Sequence, residues 1–146
     1  MSSYADTSFV ISWFVPDANH AAAVAHIQSS ILPLGLPWTP WSAVEFNNST
    51  RALCARNYLT VASLQALSGQ LRGALAAGDL SPRPLPAYTW WLESESISKA
   101  HTIKLGVRTL DVLHVAAARV LRADKFLTFD LRQRALARAV GLTVEP

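Results

Sequence analysis

Four of the ten acidic residues in this chain of 146 are surrounded by apolar sequence, and these four are the side chains most suited to chemistry. They are Asp6, Glu45, Asp111 and Asp130. In the stretch "RTLDVLHVAA", for example, Asp111 lies inside what reads as the start of an almost wholly apolar helix. A buried carboxylate is costly unless a partner compensates its charge. We therefore expect these acids to share such a partner.

Each of the four acids falls at the end of a predicted strand or in the first turn of a predicted helix. In a parallel sheet these positions lie at the same edge. Carboxylates that converge there repel one another unless a cation lies between them. Oxygen ligands without cysteine, and without histidine at zinc spacing, suit Mg²⁺ or Mn²⁺. Such ions activate water and stabilise an in-line displacement at a phosphodiester.

Each of these acids also has a local interpretation as a helix cap, which predicts acids scattered over the molecule. The candidates are a capping box Ser42-x-x-Glu45, a similar cap Asp130-x-x-Gln133, Asp111 in a first turn, and Asp6 before a helix that begins at Thr7. These interpretations rest on ordinary capping and on the helix dipole. From the residues alone, both the caps and the metal cluster stay open.

The elements that must position the acids are short apolar strands alternating with helices. Helices are predicted over 7–15, 19–31 (capped by Asn19), 42–56, 60–78, 87–105, 109–123 and 130–141, and strands over 2–5, 36–40, 125–129 and 142–146, with a further short strand within 81–86. This alternation predicts an α/β fold with a parallel sheet covered on both faces. The length predicts a single domain, 1–146.

Composition restricts the class of protein further. The net charge of +3 permits a nucleic-acid partner without requiring one. Arginines suited to an RNA backbone are Arg51, Arg56, Arg132, Arg134 and Arg138, although a solvated surface is their default interpretation. The lone Cys54 excludes an internal disulfide, and we find neither a signal peptide nor an apolar run long enough for a membrane span. We expect a cytoplasmic protein with no membrane contact.

Three blocks of the sequence resemble PIN-domain ribonucleases, especially the VapC-type toxins of bacterial toxin–antitoxin pairs. The blocks are "YADTSFVISWFV", "LPWTPWSAVEFNNSTR" and "LGVRTLDVLHVAAARVLRADKFLTFDLRQRALARAVGLTV". They span the chain in the family's order and spacing, and the combination of "RTLDVLHVAAA" with "FLTFDLRQ" is the most specific part. The resemblance implies a three-layer α/β/α PIN-like fold with a central, mainly parallel sheet of four or five strands.

The same resemblance implies the residues of a ribonuclease site that uses Mg²⁺ or Mn²⁺. The family's catalytic, metal-binding acids match Asp6, Glu45, Asp111 and Asp130. Ser8 and Thr128 match hydroxyls that orient a carboxylate or water. By their positions near the acids, Asn48 and Arg108 are candidates for substrate contact, with surface polar groups as the alternative. His114, one turn after Asp111, is interpreted as a packed histidine.

The resemblance also implies partners, namely an RNA substrate, a cognate antitoxin and a second copy of the chain. Two alternatives remain open: a PIN-fold nuclease without a toxin role, and a non-catalytic RNA- or protein-binding module on the same fold. A phosphatase of the haloacid-dehalogenase type is disfavoured because it needs Asp-x-Asp after its first strand. Here Asp6 is followed by Thr7 and Ser8.

Overall fold

The computed structural model describes residues 2–30 and 34–146, which contain seven helices and five strands. In chain order these are β1 (Ser3–Ala5), α1 (Thr7–Phe14), α2 (His20–Ser29), β2 (Leu36–Trp38), α3 (Pro40–Ala55), α4 (Val61–Ala77), β3 (Leu80–Pro82), α5 (Ala87–Leu105), α6 (Thr109–Val120), β4 (Lys125–Leu127), α7 (Leu131–Ala139) and β5 (Thr143–Glu145). Residue 31, the predicted end of the second helix, lies outside the described residues. Within the described ranges, no helix combines the length and hydropathy needed to cross a membrane.

All strand pairs are parallel, as the alternation of helices and strands predicts. Strands β1, β4 and β5 form a sheet with β4 in the centre, so that Tyr4 lies opposite Phe126, and Phe126 opposite Val144. Strands β2 and β3 pair separately, with Pro37 opposite Ser81. Helices connect the strands along the chain, as parallel pairing requires. The predicted parallel α/β fold is confirmed.

The chain divides into two compact units. The terminal unit comprises the start of the chain through Asp6 together with Pro84–Pro146, and the middle unit comprises Thr7–Arg83. The three-stranded sheet lies in the terminal unit, and the two-stranded sheet in the middle unit. The single domain expected from length stays a prediction.

The core of the terminal unit forms around the central strand β4. Phe126 and Leu127 are fully buried, and Tyr4 stacks on Phe126 with ring centroids 5.8 Å apart. The hydroxyl of Tyr4 lies 3.0 Å from Nδ1 of His114, which is buried on α6. This hydrogen bond pairs the Tyr4 hydroxyl with one ring nitrogen of His114 inside the core. The interpretation of His114 as a packed histidine is therefore confirmed.

The core of the middle unit is aromatic and centres on Phe46 of α3. Phe46 packs edge-on against Trp38 of β2 at 5.7 Å and against Phe14 of α1 at 6.1 Å between ring centroids. Edge-to-face contacts at this separation are favourable for aromatic rings. One side chain thus links two helices and a strand of this unit.

The start of α3 differs from the prediction. The helix begins at Pro40, and its cap is Thr39, whose Oγ1 accepts a hydrogen bond of 3.0 Å from the backbone N of Ser42. The predicted capping box between Ser42 and Glu45 is therefore wrong. Proline has no N–H and its φ is already helical, so it favours the first helical position. The helix consequently starts two residues before the predicted boundary.

The predicted cap of α2 is correct in its position but not in its hydrogen bond. Asn19 occupies the cap position but makes no capping hydrogen bond with its side chain. Instead, its backbone N donates to Oδ1 of Asp17 at 2.8 Å, and the backbone N of His20 donates to the carbonyl of Asp17. An aspartate that bonds the backbone two residues on forms a local turn. Asp17 therefore organises the entry to this helix.

Candidate active site

Asp6 lies directly after β1 and is completely buried. Its backbone N donates to the carbonyl of Leu127 at 3.1 Å, which continues the pairing of β1 with β4. Its Oδ2 accepts a hydrogen bond of 3.0 Å from Oγ1 of Thr128. The sheet thus fixes both the backbone and the carboxylate of Asp6.

Thr128 lies directly after β4 and is also completely buried. Its hydroxyl donates to Asp6 and accepts a hydrogen bond of 3.1 Å from the backbone N of Asp130. Its carbonyl accepts from Nη1 of Arg134 at 3.0 Å. One threonine therefore joins the first and the last of the four acids, which lie far apart in the sequence.

Asp130 caps α7. Its Oδ1 accepts hydrogen bonds from the backbone N of Arg132 at 2.7 Å and of Gln133 at 3.2 Å. The interpretation of Asp130 as a cap is confirmed, but its second oxygen, Oδ2, lies 3.8 Å from Nη2 of Arg132. Capping therefore uses Oδ1, and Oδ2 lies beside the guanidinium of Arg132.

Asp111 lies in the first turn of α6 with only 4% of its surface exposed. Its Oδ2 accepts a hydrogen bond of 2.8 Å from the backbone N of Arg108, the residue before the helix. A carboxylate at a helix start also interacts favourably with the helix dipole. The same Oδ2 lies 3.8 Å from Nε of Arg132. The backbone N of Arg108 and the guanidinium of Arg132 therefore both compensate the buried charge of Asp111.

Arg132 connects the last two acids. Its guanidinium lies 3.8 Å from Asp111 and 3.8 Å from Asp130, through Nε and Nη2 respectively. From the sequence, Arg132 is an arginine suited to RNA or to a solvated surface, and neither interpretation predicts these contacts. The available signal was its position two residues after Asp130 at the start of α7.

In the middle unit, Glu45 is half-buried on α3. Its Oε2 accepts a hydrogen bond of 2.6 Å from Oγ1 of Thr7, the first residue of α1. Sequence reasoning considered Thr7 only as the start of a helix. The short bond to a carboxylate fixes the glutamate within this unit.

The other predicted residues lie beside cavities. Ser8 and Asn48 are exposed and line a cavity of about 700 Å³ in the middle unit, together with Arg56 and Tyr58. In the terminal unit, Arg108 lines a cavity of about 410 Å³ beside α5 and α6. Ser8 therefore opens to a cavity of its own unit, whereas Thr128 bonds two of the acids.

The structure brings three predicted acids into one connected arrangement in the terminal unit. Thr128 links Asp6 to Asp130, and Arg132 lies between Asp130 and Asp111. Across residues 2–30 and 34–146, no three His, Cys, Asp or Glu side chains come together in a way that could hold a metal ion. The donors present are oxygens of carboxylates and hydroxyls, which suit a hard divalent cation.

No family model and no curated protein matches this sequence. Similar solved structures include FitAcB from Neisseria gonorrhoeae, with 19% identity, a TM-score of 0.66, and coverage of 99% of this chain and 96% of that chain. VapC20 from Mycobacterium tuberculosis, a sarcin–ricin loop cleaving toxin, has 17% identity and a TM-score of 0.66 over 92% of this chain and 94% of its own. VapBC2 from Rickettsia felis, bound to a promoter DNA fragment, has 12% identity and a TM-score of 0.64 over 99% and 98%.

Proposed function

We propose that this chain, which has the fold of the PIN-domain toxins VapC and FitB, is a metal-dependent ribonuclease and the toxin of a toxin–antitoxin pair. The observation that carries the proposal is a connected arrangement of three acids: Asp6 and Asp130 follow β1 and β4, and Arg132 lies between Asp130 and Asp111 of α6. In open α/β sheets, ligands bind at this edge. VapC20, a protein of the same fold, is a toxin that cleaves the sarcin–ricin loop.

The metal in this proposal is Mg²⁺ or Mn²⁺, held by Asp6, Asp111 and Asp130 and completed by Glu45. The fit rests on chemistry: two of the acids are almost completely buried, and a cation offsets the cost of burying their charge. The inclusion of Glu45 rests on the family resemblance and on its carboxylate being held by Thr7. When bound, the ion activates water and offsets charge at the phosphodiester.

The chain's own residues hold the acids in place for this chemistry. The hydroxyl of Thr128 orients Asp6, the backbone N of Arg108 orients Asp111, and the cap of α7 orients Asp130. Ligands fixed by such outer contacts bind metal more tightly and more selectively than mobile ones. We further propose Ser8 as a supporting hydroxyl, with Asn48 and Arg108 contacting the RNA backbone.

Two partners and a location belong to the same proposal. The neighbours include toxin–antitoxin complexes, which supports a cognate antitoxin for this chain. A homodimer and a cytoplasmic location follow from the family resemblance. Exposed apolar side chains such as Trp91 and Ile103 on α5 are compatible with a protein partner.

Chelation tests the proposed reaction directly. The purified chain, incubated with total RNA in Mg²⁺, is expected to cut RNA, because the acids then hold the ion that the chemistry requires. Excess EDTA is expected to stop cleavage, and added Mg²⁺ or Mn²⁺ to restore it. Cleavage that is indifferent to EDTA, or no cleavage of any RNA in either metal, contradicts the proposal.

Replacement of the threonine between the acids tests the positioning of the site. Thr128→Val keeps the side-chain shape but removes the hydrogen bonds to Asp6 and Asp130. Loss of outer-shell partners commonly costs about 10- to 100-fold in metal affinity or activity, and we expect a fall of that size in RNA cleavage. The matched control is Thr102→Val on α5, which removes a hydroxyl paired with Ser98. Equal cleavage by the two variants contradicts the role of Thr128.

A further inference from the structure

We propose that Arg132 is an internal counter-ion of Asp111 and Asp130 that competes with the divalent cation for these two carboxylates. This inference rests on the proposed function, because it assigns a role to Arg132 in that metal site. Arg132 is a positioning residue that leaves the acids when metal binds. It thereby sets the metal concentration at which the site fills.

The first support is the geometry of the guanidinium. Two different nitrogens of Arg132 each lie 3.8 Å from a different carboxylate, Nε from Asp111 and Nη2 from Asp130. Both distances are longer than the 2.7–2.9 Å of a charge-assisted hydrogen bond. The guanidinium therefore compensates charge without the tight pairing that would hold it in place.

The second support is the burial of Nε. This atom is buried and has no hydrogen-bond partner among the described residues, although 39% of the Arg132 side chain is exposed. A buried donor without a partner is unfavourable, because it has lost its bond to water. Arg132 thus keeps its Nε beside Asp111 at a cost, and the attraction of the two carboxylates is what offsets that cost.

The third support is the anchoring of the residue. The backbone N of Arg132 donates to Oδ1 of Asp130, so the first turn of α7 holds the main chain. The guanidinium belongs to a long and partly exposed side chain, so it can move to solvent without any change in that cap. Departure of the guanidinium therefore leaves the acids in position.

The charge balance explains why the two cations compete. Asp111 and Asp130 carry two negative charges, which Arg132 reduces to one. A divalent cation neutralises the pair alone, and a guanidinium left beside it adds repulsion between like charges. Of the neighbouring arginines on α7, Arg134 donates to the carbonyl of Thr128. Arg132, by contrast, forms an ion pair with each of the two acids at 3.8 Å.

Binding of Mn²⁺ to the full chain, measured by titration calorimetry in the absence of RNA, tests the proposal. Arg132→Gln removes the competing charge. Because each partly exposed ion pair contributes up to about 1 kcal/mol, we expect the Kd of this variant for Mn²⁺ to be about three- to tenfold lower than that of the parent. Arg132→Lys keeps the charge and is expected to stay within about twofold of the parent. The matched control is Arg138→Gln, an exposed position on the same helix, with an unchanged Kd.

The outcomes separate this inference from the proposed function. Mn²⁺ binding by the parent, with an equal or weaker affinity in Arg132→Gln, overturns the role of Arg132 and leaves the metal site standing. No Mn²⁺ binding by the parent or by any variant overturns both. Circular dichroism of each variant shows whether it is folded. Should Arg132→Gln not fold, Arg132→Lys and Arg132→Met are compared, and equal affinities in those two overturn the inference.

Discussion

Asp111→Asn is expected to lower RNA cleavage by at least about a hundredfold, the upper end of what outer-shell changes cost at metal sites. Asparagine has the shape of aspartate and keeps an oxygen that can accept from the backbone N of Arg108. It loses the charge that attracts a cation. The variant therefore separates the local role of Asp111 in α6 from its proposed role as a metal ligand.

The measurement is a time course of RNA cleavage in Mg²⁺, with thermal unfolding of the same samples. The matched control is Glu95→Gln, which removes a carboxylate from an exposed position of the terminal unit. We expect the control to cleave at the parent's rate and both variants to unfold cooperatively. A folded Asp111→Asn that cleaves as fast as the parent shows that Asp111 is not a metal ligand.

Phe126→Ala is expected to lower the free energy of unfolding by about 3–5 kcal/mol, the usual range for truncating a buried phenylalanine. Phe126 has no exposed surface and lies in β4, the central strand of the three-stranded sheet. Its ring stacks on Tyr4, so the truncation leaves a cavity between two strands. The effect is large because the whole ring is buried, so its removal loses the transfer free energy of the ring and adds the cost of the cavity.

Urea denaturation followed by circular dichroism measures this loss. The matched control is Ile103→Ala on α5, where the side chain is 99% exposed. Exposed substitutions of this kind change stability by about 0.5 kcal/mol or less. A loss below about 1 kcal/mol for Phe126→Ala would show that β4 is not the centre of the core.

Helix boundaries with strong local signals were predictable from the sequence. Helix α5 spans Ala87–Leu105, as predicted, because Pro86 precedes it and Gly106 follows in the left-handed conformation. The start of α3 was not predictable in this way, because two candidate caps, Thr39 and Ser42, lie close together. Only the path of the chain into the helix distinguishes them. Local chemistry predicts a boundary well where one signal stands alone.

The sequence singles out the four acids as candidates, but it does not encode their contacts. Asp130 stands out because it directly follows the strongest strand signal in the chain, and the structure makes it the cap of α7. The bridging position of Arg132 depends on which rotamer its long side chain adopts between two carboxylates from different helices. Sequence spacing does not encode that choice, because arginine has many accessible rotamers.

The hydrogen bond from Thr128 to Asp6 spans 122 residues of sequence, and this separation has a consequence for the timing of synthesis. The strand β1 leaves the ribosome before β4, the strand with which it pairs. The contact between Asp6 and Thr128 therefore cannot form on a nascent chain until β4 has emerged, since contacts distant in sequence form late. The proposed site can therefore form only after β4 has been synthesised, however early β1 becomes available.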